Sequence, residues 1–477
     1  MDITVLINSG SLGDAIMGLL GAYAMPHPPL AVPGVGRGQE KKINETLTAF
    51  DKAATEIAAL APETIVFITP HNINYSDYFH ISPGTSARGD FKRFGDKETR
   101  FETLYDEKLI SEISKRAERQ GIPAGVLGER DAKLDHGVTV PMWFIDRRYK
   151  NFKTIRISQS GLPAADHYRL GRIISEAAGE TGRRVVLIAS SDMSHKLKRD
   201  GPYGFAPEGP EFDSLVLDIL SKGDFLALFN ISGSLRERAA ECGYNSLMVL
   251  AGCFDCLKTE TKLLSYEGPY GVGYAVAAFS PGQPDSSRNF LEQYLEISLN
   301  NAKSKRSMED DYRALARRSL EYTISCGGEL PLPDGLPGEM LSEKAGVFVS
   351  LHKDGRLRGC IGTIMPTTGS IAREIIQNAV SAGLRDNRFD PVSQAELPYL
   401  TYKVDVLSTP EPISDPEELD VRRYGVIVSS GSKRGLLLPN LEGVDTVEDQ
   451  ILIARSKAGI PENTPLKLER FEVFRHE

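Results

Sequence analysis

Four histidines of this chain stand where loops leave or enter apolar runs: His27 in AMPHPPL, His71 in ITPHN, His136 in LDHGVTVP and His195 in SSDMSH. A neutral imidazole can ligate a metal, and its titration near neutral pH lets it exchange protons, so such a set is equipped for metal-assisted or acid–base chemistry. His71 follows the run TIVFIT (64–69) almost at once, and His195 lies five residues after VVLIAS (185–190). Pro70 stiffens the turn that presents His71, and Pro26 and Pro28 bracket His27 in the same way. A ring held on a stiff loop loses little entropy on binding an ion. Any one of these histidines alone reads as a polar loop residue; four with this placement, in a chain holding only eight, read as one shared site. His80, His167, His352 and His476 read as surface or loop residues.

The loops require a scaffold, and the sequence supplies one. The β-branched runs TIVFIT (64–69), FKTIRIS (152–158), VVLIAS (185–190) and YAVAAF (274–279) read as buried strands. LTAFDKAATEIAAL (47–60) and HYRLGRIISEAAGE (167–180) read as the helices between them. This alternation predicts an α/β domain, a largely parallel sheet covered by helices, in which ligands sit outside the carboxyl ends of the strands. SPGQPDSSRN (280–289) breaks the pattern with Pro, Gly and Ser and marks the boundary. A helical region of mixed charge follows to about Ile324. An α+β segment comes next, with strands at GVFVSL (346–351), TYKVDVLS (401–408) and GVIVSS (425–430). The expected division is therefore a first domain over 1–280, a linker and helical connection over 281–305, and a second domain over 306–477. Each domain is long enough for its own core, so a cut within 281–305 is expected to leave two folded units.

At 477 residues the chain is too long for one ordinary core, and its 41% hydrophobic and 25% charged residues are those of a globular protein. A net charge of −9 argues against nucleic acid or an anionic membrane as partner. No run approaches a membrane span. Residues 15–25 are briefly apolar but lack a basic flank, and Asp2 and Asp14 precede them, so no secretory leader is expected. Five cysteines, an odd count, suit a reducing cytoplasmic setting better than a disulfide scaffold. Cys253 and Cys256 in CFDC have no further ligands in reach and read as core residues on a helix. SSGSKRG (429–435) reads as a hairpin turn rather than a phosphate cradle.

PHPP at 26–29, the strand ending in PH at 70–71, DHG at 135–137 and SSDMSH at 190–195 resemble, in order, the motifs of class III extradiol ring-cleavage dioxygenases of the LigB superfamily. The resemblance runs from about Met17 to Phe279, which makes residues 1–16 dispensable by expectation. It implies His27 and His71 as metal ligands, His195 as the acid–base histidine and His136 as a second active-site histidine on the substrate wall, with Asp135 as partner for that ring. The implied chemistry is oxidative cleavage of a small catechol-like aromatic at Fe(II). Two histidines and a carboxylate on one face of the iron leave positions for the diol and oxygen. Zn or another divalent ion is the alternative metal.

The family usually supplies a Glu as third ligand, and Glu241 in AAECGYNSLMVLAG (239–252) has the right chemistry. Alignment of Asn245 and the helix after it puts Cys242 at that place instead, which resembles the Memo branch, where metal or redox function without ring cleavage is implied. Successive helical residues diverge by roughly 100°, so one of the two would face the metal unless Gly243 makes the backbone irregular, and Glu241 is the expected third ligand of an iron site, with Cys242 as the alternative. HKDGRLRGCIG (352–362) and AVSAGLRDNRFDPV (379–392) resemble the AMMECR family over about Leu315 to Phe474. The pairing of the two is similar to the A proteins of AmmeMemoRadiSam systems and implies a radical-SAM protein as partner. No CxxxCxxC motif makes this chain itself the radical enzyme. In LRGCIG, Cys360 reads as a buried, inert strand residue in preference to a cleft thiol acting with Arg358 on an anion. Homo-oligomerisation is left open by the sequence.

Overall fold

The computed structural model describes residues 18–441 and 443–477. The expectation about residues 1–16 lies outside them. The chain divides into two compact units, Met1–Tyr294 and Leu295–Glu477. The point of division falls within the helix Phe290–Ser307.

The first unit is built on a six-stranded sheet, in the order 153–158, 64–69, 185–190, 19–25, 274–284, 257–267. The first four strands are mutually parallel, and the last two run antiparallel at one edge. Strands Thr64–Thr69 and Val185–Ser190 are buried along their whole length, which is why they read as unbroken apolar runs rather than alternating ones. Helices cover the sheet in two groups: Asn44–Leu60 packs with His136–Asp146, and Ala164–Thr181 packs with Tyr244–Gly252 and Glu107–Arg119. The architecture is the α/β arrangement expected.

Strand Tyr274–Pro284 does not stop where the Pro- and Gly-rich segment begins. It continues through Pro281 and Pro284, paired only with 257–267 beyond Phe279. A proline's missing N–H costs no ladder bond on the side that has no neighbour, so an outer ribbon tolerates what a central strand does not. The antiparallel partner, Leu257–Glu267, had no sequence signal because its exposed, mixed residues lack a buried face.

The second unit holds two four-stranded antiparallel sheets. One is ordered 356–362, 347–353, 400–407, 473–476, and the other 411–413, 467–471, 425–430, 433–437. Helices Asp311–Cys326 and Ile371–Leu384 close the first core, in which Leu315, Val349, Ile375 and Val404 are buried. SSGSKRG forms the tight connection between 425–430 and 433–437, the hairpin expected.

The four histidines set aside above are not loop residues. His80 is fully buried in the short strand Phe79–His80, and His167 is fully buried in helix Ala164–Thr181. His167 Nδ1 faces the Pro163 carbonyl, and its Nε2 accepts from the Ser160 N–H, so the helix start uses the ring as a structural bracket. His352 and His476 lie on strands 347–353 and 473–476, the latter beside Asp310 at 2.7 Å. Cys253 is buried at the end of helix Tyr244–Gly252 as expected, but Cys256 lies beyond it in a left-handed turn.

Candidate metal centre

Three neighbouring parallel strands end at the same level. Met25 pairs with Ser190, and Ile68 pairs with Ala189, so the segments that leave 19–25, 64–69 and 185–190 emerge side by side. His27, His71 and Asp192 each lie two residues beyond their strand. Helix His136–Asp146 starts beside them, and the turn between helices Gly233–Ala239 and Tyr244–Gly252 brings in Cys242.

The ligand atoms of His27, His71 and Cys242 all lie within 4.8 Å of one another. His27 Nε2 and His71 Nε2 are 2.9 Å apart, and Cys242 Sγ is 3.6 Å from His27 Nε2. Metal–nitrogen bonds of about 2.0–2.1 Å and a metal–sulfur bond of about 2.3 Å, at near-right to tetrahedral angles, produce separations of this size.

The tautomer of His27 follows from its partner. Ser190 Oγ donates its one proton to the Gly137 carbonyl at 2.6 Å, so it must accept from His27 Nδ1, 2.8 Å away. Nε2 therefore turns a bare lone pair into the cluster. Gly137 is required there, because a Cβ would lie 2.3 Å from Thr69 Oγ1 and 3.1 Å from Ser190 Oγ. Burial, reinforced by His71 and His195, holds His27 well below the usual imidazole range. Burial also lowers His71, against the pull of the Asp135 and Asp192 carboxylates. Both rings are thus kept in the ligating form. Burial pushes the Cys242 thiol well up, as do the charges of Asp192 and Glu241, so its proton leaves only when a cation replaces it. The donor set fits a metal.

Glu241 is not brought to this cluster. One carboxylate oxygen accepts from Arg236 Nε at 3.1 Å, and the other accepts from the Tyr244 N–H at 2.7 Å, at the start of the next helix. Glu241 and Cys242 occupy a turn rather than successive helical positions, and they point to different tasks. Gly243 does not supply an unusual conformation; its φ of −92° is ordinary. Its need is space, since a Cβ would meet the Asp192 carbonyl and Ser191 at 2.6 Å. The left-handed residue that reverses the chain is Ala240.

His136 stacks on His71 with centroids 4.1 Å apart. Its Nδ1 is paired with Arg93 Nη2 at 2.8 Å, whereas Asp135 accepts from Thr69 Oγ1 and lies 3.7 Å from Arg156. Asp135 is therefore not the partner of the His136 ring, whose Nδ1 is taken by Arg93; its Oδ1 serves the His71 loop, and its buried Oδ2 has no hydrogen-bond partner among the described residues. Burial and the neighbouring imidazoles lower His136 to about 2. His195 is half-buried, its ring edge-on to Tyr203 at 5.1 Å, and its Nδ1 has no hydrogen-bond partner among the described residues.

Sequence reasoning missed three participants. Asp192 accepts from the His27 N–H at 2.7 Å and holds its second oxygen 3.7 Å from His27 Nε2, and burial raises it to about 6. Asp192 and Ser190 both lie in the quoted SSDMSH, so the signal was present. Arg93, in the turn Lys92–Phe94, carried none.

Neutral imidazoles and a thiol converging beyond a mainly parallel sheet define an α/β domain with a metal-type site, joined to a separate α+β unit. The chain belongs to the LigB family, described as "Catalytic LigB subunit of aromatic ring-opening dioxygenase", which matches residues 21–277, and it carries an AMMECR1 domain over 313–477. It is 42% identical over 469 residues to Protein CA_C1420 of Clostridium acetobutylicum, covering 96% of this chain and 99% of that one. A Thermotoga maritima protein is 49% identical over 170 residues, 35% of this chain and 98% of its own length. The crystal structure of PH0010 from Pyrococcus horikoshii, 33% identical with a TM-score of 0.32, covers 34% of this chain and 88% of that one. Among the described residues no helix is long and apolar enough to cross a membrane.

Proposed function

We propose that the LigB unit binds one transition-metal ion through His27, His71 and Cys242 and acts on a small, oxygen-bearing aromatic molecule as a thiolate-ligated, Memo-like centre, without the His2Glu iron set of ring cleavage. The observation that carries this reading is the pairing of neighbours in the chain: Cys242 Sγ joins the imidazole cluster while both oxygens of Glu241 are occupied. A thiolate favours borderline or soft ions, so Fe(II) and Zn remain candidates and copper joins them. When bound, the ion supplies Lewis-acid or redox chemistry at its open positions.

The protein's own groups have separate tasks. Ser190 fixes the tautomer of His27, and Asp192 holds the backbone that carries it. His195, with a free ring nitrogen, is the group placed to take a proton from a substrate hydroxyl and return it. His136 accepts from Arg93 at Nδ1 and so presents an Nε2–H donor. A radical-SAM protein is the proposed partner, carried by the family resemblance.

Loading with Co(II) tests the reading. A thiolate-to-cobalt charge-transfer band is expected in the parent and in Glu241→Gln, and its loss with the ion in Cys242→Ser. Metal retained without change in Cys242→Ser but lost in Glu241→Gln would restore the His2Glu assignment and with it extradiol cleavage.

A further inference from the structure

We infer that the metal centre takes an anionic ligand, a carboxylate or phosphate group that docks between Arg93 and His136; the inference rests on the metal assignment above. Arg93 is exposed, yet its guanidinium is held at two points: Nη2 donates to His136 Nδ1 at 2.8 Å, and the guanidinium lies over the Phe94 ring, 4.5 Å from its centroid. The turn that carries it is tied down from the next residues, because Arg37 Nη2 donates to the Gly95 carbonyl at 2.9 Å. Among the described residues no carboxylate pairs with Arg93. The acids of its own loop are engaged elsewhere: Asp90 lies 3.7 Å from Lys92, and Asp96 accepts from Thr99 and the Glu98 N–H.

A guanidinium has five donors and no acceptor, so an imidazole nitrogen uses one and the others remain for a planar anion. Because an arginine can only donate, His136 Nδ1 is the acceptor and its ring proton resides on Nε2. His136 stacks on His71 and meets His27 edge-on at 5.4 Å, so this donor and the arginine fork stand together at the ligand cluster. Phe94, 5.6 Å from the His136 ring, adds an apolar edge suited to an aromatic body.

The test is a titration of the Co(II)-loaded full chain, followed by its optical spectrum, with benzoate, inorganic phosphate and the neutral isostere benzamide. Benzoate or phosphate is expected to shift the spectrum saturably, and benzamide to leave it unchanged. Tighter benzoate assigns an aromatic carboxylate, and tighter phosphate a phosphate ester. Arg93→Ala should weaken the anion roughly tenfold or more, the size of a lost charge-assisted hydrogen bond. Arg93→Lys should fall between the two. Lys92→Ala removes the same charge from the same turn and should stay within about twofold of the parent, since Arg93 acts by its fork and not as general charge. Equal affinity in the parent and Arg93→Ala, an equal loss in Lys92→Ala, or no anion response from a cobalt-loaded parent would overturn the inference while leaving the metal site intact. A parent that fails to take up cobalt overturns both.

Discussion

The two units each present a cysteine among charged and polar neighbours, and the neighbours behave in opposite ways. Around Cys242, two bare or exchangeable imidazole nitrogens and a thiol face one another with no cationic partner. Around Cys360, the groups are matched except for the buried Arg358 Nη1, which has no hydrogen-bond partner among the described residues. Ser350 Oγ donates to its sulfur, Asp386 accepts from its N–H, and Arg388 donates both to its carbonyl and to Asp386. Arg358, the other residue of LRGCIG that invited a functional reading, closes its fork on Glu396 at 3.0 and 3.1 Å. Ligand atoms that converge on one point mark a place suited to a cation, whereas donors matched to acceptors mark a framework. The contrast separates the site from the scaffold more sharply than residue type does.

The contrast is broken most directly by His71→Ala. This change should reduce bound metal from about one per chain to near zero, with the fold retained, as read by metal analysis and circular dichroism; full metal content would make the cluster incidental. The matched framework should respond in stability instead. Glu374 is buried and accepts from Thr363, Thr367 and Thr368 through side chains and backbone. Glu374→Ala should cost about 3 kcal/mol by stranding those donors, with metal content unchanged. Hydrogen exchange over 371–384 measures it, and a loss under about 1 kcal/mol would contradict the framework reading.

Ser190→Ala removes the acceptor that fixes His27 and should weaken metal about 10–100-fold while leaving stoichiometry at saturation unchanged. The pH dependence sharpens the same point. His27 and His71 are held low, so above about pH 6.5 they are neutral and offer no proton to displace. Cys242 is held high and gives up one proton per ion, so affinity should rise about tenfold per pH unit between about 6.5 and 8.5. A flat profile would indicate an already ionised carboxylate as third ligand. The smallest effect belongs to Cys360→Ser, which should change stability by less than about 1 kcal/mol and metal binding not at all.

Much of this was legible in the chain. Runs such as TIVFIT and VVLIAS match their strands because burial on both faces leaves no polar residue to blur the ends. His27 and His71 were legible because proline-stiffened loops after such strands have few structural uses. The choice between Glu241 and Cys242 was not, because both occupy a turn whose direction is set by the left-handed Ala240 and by a helix start that claims the carboxylate. His80 and His167 misled for the same reason: a short strand and a helical interior, each fixed by tertiary packing, bury a residue type that is usually exposed. Arg93 lies in a basic turn like many others, and only the position of His136 makes it meaningful.

X-ray absorption on the metal-loaded protein tests the central claim most directly, because it reads the ligand shell without a substitution. One sulfur at about 2.3 Å with nitrogen or oxygen neighbours at about 2.0–2.1 Å, two of them showing imidazole scattering, is the predicted result. A shell of nitrogen and oxygen alone would contradict it, removing Cys242 from the centre and returning Glu241 to it.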